Sequence, residues 1–261
     1  MQLVAVHGYP LDRRMWEPLA QRGQEGRLGP VTSVFAPDLR GRGTSLRPAA
    51  GVHTMALLAD DLAEDLEGLD PGGGPLVLAG LSMGGYVLFE LLRRHGARLL
   101  SRVAAVVFCD TRATADDESG RAKRREAIEA IRKSGITAAL QAMLPKLLSP
   151  ASRGSAAEET ARAMILATPP GTACADLAGL ATRSEGFDVL SALTKPVLFL
   201  VGEDDTLTPP ADAEAMAAAA TSAPWIGLVT IPRAGHLAPM EQPDEVAGQL
   251  RKLLSPRRAR E

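Results

Sequence analysis

The chain has 261 residues, of which 46% are hydrophobic and 23% charged, and its formal net charge is −2. This composition is ordinary for a globular protein. It predicts one domain, or one domain with a lid, whose core is large enough to fold without disulfides or metals. A nearly balanced charge argues against a dedicated nucleic-acid binder, which would carry a basic face. The basic segment at 257–260 is expected to be a solvated chain end.

Cysteine usage and hydropathy set the expected compartment. Cys109 and Cys174 lie far apart and show no metal-binding spacing, so we expect neither a disulfide nor a metal site. A reducing cytoplasm fits this usage. The first residues lack the basic segment and the long apolar run of a signal peptide, and no window approaches the roughly 18 apolar residues of a membrane span. We therefore expect a cytoplasmic protein without a membrane partner.

Short apolar segments alternate with amphipathic ones along the chain, the pattern of a parallel sheet covered by helices. We predict six strands, most of them buried on both faces, at 3–6, 31–36, 75–80, 103–109, 196–202 and 226–232. Helical periodicity lies between them, at 54–68, 83–95, 211–220 and 243–254. The predicted fold class is α/β, a mostly parallel and doubly wound sheet with helices on both faces and a helical cap.

The cap is predicted from a long stretch without a strand. From Thr111 to Lys195 no segment is convincing as a strand, although a crossover needs only about a dozen residues. Helical periodicity persists through this stretch. We interpret 111–185 as a helical cap, and 1–110 with 186–261 as the core domain. Several apolar cap residues suggest an apolar pocket, although such residues also form a cap's own core: Met143, Leu144, Leu147, Met164 and Ile165.

The segment GLSMG at 80–84 matches the motif G-x-S-x-G and stands between a predicted strand and a predicted helix. A serine at such a turn takes a strained backbone conformation, and its surroundings come so close that Gly80 and Gly84 cannot carry side chains. The turn exposes the hydroxyl at the C-terminal edge of the sheet, where the N-terminal amides of the next helix also point. Ser82 is therefore the candidate nucleophile.

A serine hydroxyl attacks only with the help of a neighbouring base, and the chain has four histidines. His236 follows the last predicted strand in a glycine-containing loop, at the same edge of the sheet as Ser82. We interpret His7 as structuring the turn after the first strand, and His53 and His95 as solvated surface residues. His236 is the candidate general base.

Five segments occur in order across nearly the whole chain: HGYPLDRRMW, PDLRGRGTS, GLSMGG, GEDDTLTP and GHLAPMEQP. Together they resemble the α/β-hydrolase superfamily. SMGGYVLFELL and DTRATAD are similar to its esterases and 3-oxoadipate enol-lactonase-like serine hydrolases. The five motifs are highly specific for the fold and only weakly specific for the substrate. Such enzymes need no cofactor and no metal, so the resemblance implies none here.

The resemblance also indicates which residue is the acid that orients the base. GEDDTLTP supplies three acidic residues after a predicted strand. In the family pattern G-x-x-D-x-x-x-P, Gly202 and Pro209 place the acid at Asp205 and leave its two acidic neighbours as a turn residue and a solvated one. Asp110, at the end of the fourth predicted strand, is the alternative, because some relatives use that position. Otherwise Asp110 fixes the cap entrance or simply ends the strand.

The oxyanion hole is expected to consist of two backbone N–H groups, those of Met83, directly after the nucleophile, and of Tyr9 in the segment that resembles HG-x. Asp38 and Arg40, in PDLRGRGTS, are assigned to loop scaffolding.

The chain departs from its relatives at the start, because they usually have a β-hairpin before the HG strand. With six strands, 31–36 becomes an edge that needs covering or pairing, so we expect a monomer or a homodimer.

The resemblance implies a serine hydrolase that cleaves a small-molecule carboxylic ester, thioester or lactone through an acyl-enzyme on Ser82. The strand-to-helix turn carries a serine, where haloalkane dehalogenases and epoxide hydrolases have aspartate, and this argues against those relatives. No nucleotide-binding motif is present. Two alternatives stay open. The same triad serves carbon–carbon bond hydrolysis, hydroxynitrile cleavage or perhydrolysis, and the fold also serves non-catalytic ligand binding.

Overall fold

The computed structural model describes residues 1–69 and 71–255. Within them six strands form one sheet: β1 Gln2–Val6, β2 Ser33–Phe35, β3 Leu76–Leu81, β4 Val103–Cys109, β5 Val197–Gly202 and β6 Ile226–Ile231. The helices of the core are α1 Glu17–Gln24, α2 Met55–Glu67 and α3 Met83–Leu99. Between β4 and β5 follow α4 Glu118–Ser134, α5 Thr137–Leu147, α6 Ala156–Ala167, α7 Pro170–Leu180 and α8 Phe187–Ala192. The last helices are α9 Pro210–Ala219, α10 Ala238–Glu241 and α11 Pro243–Leu254.

The sheet is parallel throughout, with the strand order β2-β1-β3-β4-β5-β6. The chain first adds β2 on one side of β1 and then places β3 on the other side. This change of direction opens a crevice at the carboxyl ends of β1 and β3, the place where open α/β sheets bind ligands. The predicted α/β class and the six strands are confirmed.

Burial differs between the inner strands and the edges. All residues of β1, β3 and β5 are buried, as expected for strands covered by helices on both faces. β6 alternates between exposed and partly buried residues, with Ile226 and Leu228 exposed, and β2 is also only partly buried. Both are edge strands, a property that an apolar run does not reveal.

Side-chain caps and proline positions fix where several helices begin. The Thr54 hydroxyl accepts a hydrogen bond from the Leu57 N–H at 3.1 Å at the start of α2. The Asp117 carboxylate accepts one from the Gly120 N–H at 2.7 Å at the start of α4. Pro243 occupies the first turn of α11, where a missing N–H costs nothing.

The stretch between β4 and β5 contains helices and no strand in its described residues, all of 111–195. α4 packs against α7 and α5, and α5 packs against α6. Of the five apolar residues singled out above, Met143 lines the cavity described below, whereas Leu144, Leu147, Met164 and Ile165 are buried in the core. The division into a core domain and a cap domain stays a prediction.

One histidine is placed differently from the prediction. His53 is 0% exposed, so its assignment to the solvated surface was wrong. Its Nε2 accepts a hydrogen bond from the Ala50 N–H at 3.0 Å, and its Nδ1 lies 2.7 Å from Asp176 Oδ1 on α7. Asp176 also pairs with the buried Arg42. The cause is a helix distant in sequence that covers the start of α2. His95 is partly exposed and pairs with Asp60 at 2.7 Å.

No helix among residues 1–69 and 71–255 combines the length and the apolar character needed to cross a bilayer. The two cysteines are free thiols, and Cys109 is buried. The basic segment 257–260 lies outside the described residues.

Candidate active site

Ser82 forms the sharp turn between β3 and α3. Its φ is 52°, in the left-handed region that a serine rarely adopts. A Cβ atom on Gly84 would overlap the carbonyl group of Val6 in β1, and one on Gly80 would overlap the carbonyl group of Gly84. The expectation that both glycines stand where no side chain fits is confirmed. A strained backbone held this tightly costs of the order of 1–3 kcal/mol and is typical of functional sites.

The His236 ring is held by a carboxylate from the neighbouring loop. His236 follows β6, and Asp205 follows β5. His236 Nδ1 lies 2.8 Å from Asp205 Oδ2, and each residue is 3% exposed. A carboxylate accepts hydrogen bonds, so the pair places the ring proton on Nδ1 and leaves Nε2 as the acceptor nitrogen. That is the tautomer a general base requires.

The orientation of Asp205 is in turn fixed by its own loop. Oδ1 accepts hydrogen bonds from the N–H groups of Leu207, at 2.8 Å, and Thr208, at 3.1 Å. Oδ2 accepts one from the Thr208 hydroxyl at 2.6 Å, and that hydroxyl also lies 3.3 Å from His236 Nδ1. Asp110, the alternative acid, makes no hydrogen bond to His236 among the described residues. Thr208 was missed in the sequence, although an aspartate that accepts from the backbone N–H two residues on, as Asp205 does from Leu207, is a common turn signal.

The charges around the pair favour a protonated His236. Burial lowers the pKa of His236, but the charge and the hydrogen bond of Asp205 outweigh it, so the pKa is raised above the ordinary 6.5. The positive charge of Arg112 acts to lower the pKa of His236. For Asp205, burial raises the pKa, but His236 and the Thr208 hydrogen bonds outweigh burial and lower it. Asp205 therefore stays ionised while His236 gains and loses a proton.

The two predicted oxyanion amides lie beside Ser82. Met83 is the first residue of α3, so its N–H has no partner within the helix. A Cβ atom on Gly8 would lie 3.2 Å from Ser82 Cβ, which brings the backbone of Tyr9 next to the serine. Neither the Tyr9 nor the Met83 N–H donates to a backbone acceptor in the described part of the chain. Their role as the two donors of an oxyanion hole stays a prediction.

A cavity of about 960 Å³ lies over the serine, and Tyr9, Ser82, Met83 and His236 all line it. α4, α5 and α7 contribute mostly small or apolar residues to its wall, among them Ala127, Ile131, Ala139, Met143, Leu177 and Leu180. The structure thus brings the predicted nucleophile, base and oxyanion amides to one cavity, with the predicted acid behind the base.

A charged group forms another part of the cavity wall. Arg183, which is 7% exposed, pairs with Asp116 at 2.6 Å and donates to the Thr114 carbonyl oxygen at 3.0 Å. Asp116 also pairs with Arg124 of α4 at 3.0 Å. The Arg183 guanidinium lies 4.5 Å from the ring centre of Tyr86, one helical turn after Ser82. These residues tie the two chain segments that enter and leave the helices over the cavity.

The end of α5 also holds the loop of the base. The His236 N–H donates to the Leu147 carbonyl oxygen at 2.9 Å. The Glu241 carboxylate accepts hydrogen bonds from the N–H groups of Gly235 and Ser149, both at 2.8 Å. The position of His236 therefore depends on the helices over the cavity as well as on the sheet. Nothing in the sequence marks Glu241 beyond its place in GHLAPMEQP.

Residues assigned to scaffolding are found in that role. His7 Nε2 accepts a hydrogen bond from the Leu39 N–H at 3.0 Å, which requires a neutral ring. Burial and the charge of Arg42 lower its pKa to about 4. Asp38 accepts from the N–H groups of Arg13 and Thr44, and Arg40 pairs with Asp61 of α2 at 2.7 Å. Among residues 1–69 and 71–255 no group of three or more His, Cys, Asp or Glu side chains is arranged to hold a metal ion.

The sequence profile described as the Alpha/beta hydrolase family matches residues 3–249. The chain belongs to this family. A solved structure of a thermophilic esterase from Thermogutta terrifontis is 38% identical, with a TM-score of 0.85 over 97% of this chain and 89% of that one. The enol-lactonase from Burkholderia xenovorans LB400 is 22% identical, with a TM-score of 0.81 over 97% and 90%, which shows a common fold.

Among proteins of assigned function, a pimeloyl-[acyl-carrier protein] methyl ester esterase from Xanthomonas campestris pv. campestris is 27% identical over 97% of this chain and 94% of its own length. The α/β-hydrolase fold, and the ester hydrolases among the relatives, agree with the resemblance that the five ordered motifs indicated.

Proposed function

We propose that this α/β hydrolase is a serine hydrolase that cleaves a small-molecule carboxylic ester, thioester or lactone without a cofactor. Ser82 is the nucleophile, His236 the general base and Asp205 the residue that orients it. The observation that carries the proposal is the buried Asp205–His236 pair, 2.8 Å apart, at the same cavity as a serine whose φ is 52°. A nucleophile, a base and an orienting carboxylate are the parts that acyl transfer requires.

In the first half of the proposed reaction, His236 Nε2 takes the hydroxyl proton of Ser82 as Oγ attacks the substrate carbonyl carbon. The carbonyl oxygen becomes an oxyanion, which the Tyr9 and Met83 N–H groups stabilise. The bond to the leaving alcohol or thiol then breaks, and His236 returns the proton to the leaving group. The acyl group stays on Ser82.

In the second half, His236 takes a proton from water, and the resulting hydroxide attacks the acyl carbon. The proton returns to Ser82 Oγ as the carboxylic acid leaves. Asp205 remains ionised throughout because the charge and hydrogen bond of His236, together with the Thr208 hydrogen bonds, hold its pKa low against burial. Its negative charge stabilises the imidazolium that forms in each half of the reaction.

The ester class is supported by the relatives, one named an esterase and one a methyl ester esterase. A lactone is a cyclic ester and a thioester an activated one, so the same attack serves all three. We further propose that 111–185 acts as a cap over a core of 1–110 and 186–261, because its helices line the cavity. The cytoplasmic location and the monomeric or homodimeric state stay predictions.

The proposal is tested with Ser82→Ala, assayed on p-nitrophenyl acetate and butyrate. The rate should fall by about 10³-fold or more, because loss of a triad nucleophile removes the covalent route. Ser101→Ala is the control, since Ser101 is exposed and outside the cavity, and it should keep the wild-type rate. If Ser82→Ala retained more than about a tenth of the activity, the assignment would be wrong. A panel of lactones, thioesters, hydroxynitriles and diketones then separates ester cleavage from hydroxynitrile cleavage and carbon–carbon bond hydrolysis.

A further inference from the structure

Asp110 is a buried carboxylate that the proposed reaction does not use. It follows β4, is 1% exposed and has a φ of 44°. Oδ1 accepts a hydrogen bond from the Gly202 N–H at 2.7 Å, and Oδ2 accepts one from the Ala238 N–H at 3.2 Å. Burying a carboxylate and holding a non-glycine residue at positive φ are both unfavourable. A strand-end turn alone requires neither.

The two N–H groups belong to the loops that carry the orienting acid and the base. Gly202 ends β5, and its carbonyl oxygen accepts the Asp205 N–H at 3.1 Å, so its position sets the start of the acid loop. Ala238 lies two residues after His236 and begins α10. One side chain thus connects both loops across the edge of the sheet.

The neighbours of Asp110 connect the same segment to the nucleophile. The Cys109 carbonyl oxygen accepts the Ser82 N–H at 3.0 Å. The Thr111 hydroxyl donates to the Ser82 carbonyl oxygen at 2.8 Å. The three residues 109–111 therefore contact the backbone of the serine turn, the acid loop and the base loop.

We propose that Asp110 is a positioning residue, whose side chain fixes the Asp205 and His236 loops relative to Ser82. This rests on the proposed function, since it assigns how that triad is held. It differs from the alternative in which Asp110 is the triad acid, because His236 Nδ1 faces Asp205 Oδ2.

The titratable and charged groups that face one another here are Asp110, Asp205, His236 and Arg112. Burial and the negative charge of Asp205 raise the pKa of Asp110 to about 8, although protonated His236 and the two N–H groups act to lower it. Asp110 is therefore largely protonated at neutral pH. A protonated carboxyl group still accepts hydrogen bonds, so Asp110 holds the two loops through hydrogen bonds and not through its charge.

Asp110→Asn tests the proposal, because asparagine adopts positive φ readily and keeps the shape of the side chain. It has one acceptor oxygen, so its amide nitrogen must face one of the two N–H donors. We expect kcat per titrated active site to fall roughly ten- to a hundredfold, the scale for a catalytic group misplaced by about 1 Å. KM should change little, because Asp110 is not among the residues that line the cavity. Asp204→Asn, on an exposed side chain of the same loop region, should change neither.

Normalising kcat to sites titrated with a fluorophosphonate removes any difference in folded fraction, and KM does not depend on that fraction. Should the amide impair folding, Asp110→Gly takes its place, since glycine adopts positive φ freely, with the same two expectations. An unchanged kcat in these variants, or a loss of activity that lies only in KM, overturns the positioning role while Ser82→Ala still abolishes activity. Ester hydrolysis that persists in Ser82→Ala overturns the proposed function and this inference with it.

Discussion

Asp205→Asn replaces the orienting acid, and the hydrogen bonds around Asp205 determine what this change does to His236. Asp205 Oδ1 faces two N–H donors, those of Leu207 and Thr208. The amide oxygen of the variant must occupy that position, which leaves its NH₂ group facing His236 Nδ1. The ring then accepts at Nδ1 and carries its proton on Nε2, the nitrogen that must take the proton of Ser82.

The wrong tautomer should lower kcat by about 10⁴-fold, equivalent to about 5.4 kcal/mol of transition-state stabilisation. The assay is steady-state hydrolysis of p-nitrophenyl butyrate, with Ser82→Ala as the measure of background. Asp204→Asn is the matched control, because that side chain is exposed, and it should keep the wild-type rate. The reasoning fails if Asp205→Asn keeps more than about a tenth of the activity. It also fails if Asp110→Asn is the more damaging of the two variants, since the acid would then follow β4.

Two further results are expected. The acid limb of kcat/KM should have an apparent pKa above 6.5, because the charge and the hydrogen bond of Asp205 outweigh burial in raising the pKa of His236, and EDTA should leave the rate unchanged. A rate flat from about pH 5 to 8 would contradict a histidine base. Met143→Ala should change the preferred ester chain length more than the unfolding temperature, since Met143 lines the cavity. Leu144→Ala, at a side chain that is 7% exposed, should instead lower the free energy of unfolding by about 2–5 kcal/mol. The reverse pattern would contradict the assignment of the cavity wall.

The inner strands could be predicted closely from the sequence because each is a short run of apolar residues, and β3 and β5 are buried along their whole length. α1 at Glu17–Gln24 was not among the predicted helices. The edge position of β2 was expected from the resemblance, but that of β6 could not be predicted from its apolar residues. β6 reads as apolar, yet it lies at one side of the sheet with exposed side chains.

The candidate nucleophile and base could be predicted from local signals, namely the glycines around Ser82 and the order of the loops, whereas the candidate acid was implied by the family resemblance. The contacts that hold these residues could not, because they join positions distant in the chain. Asp110 reaches an N–H group 128 residues away, and His53 reaches a carboxylate 123 residues away. Sequence periodicity reports which face of an element is apolar, and it does not report which element covers that face.

The central claim is that Ser82 is a nucleophile activated by His236. Reaction of the purified protein with a fluorophosphonate, followed by mass spectrometry of its peptides, measures this directly. If Ser82 is the nucleophile, we expect one adduct per chain on the peptide that carries Ser82, a much slower reaction in Asp205→Asn, and no adduct in Ser82→Ala. An active enzyme that is not labelled, or an adduct on a different residue, would contradict it.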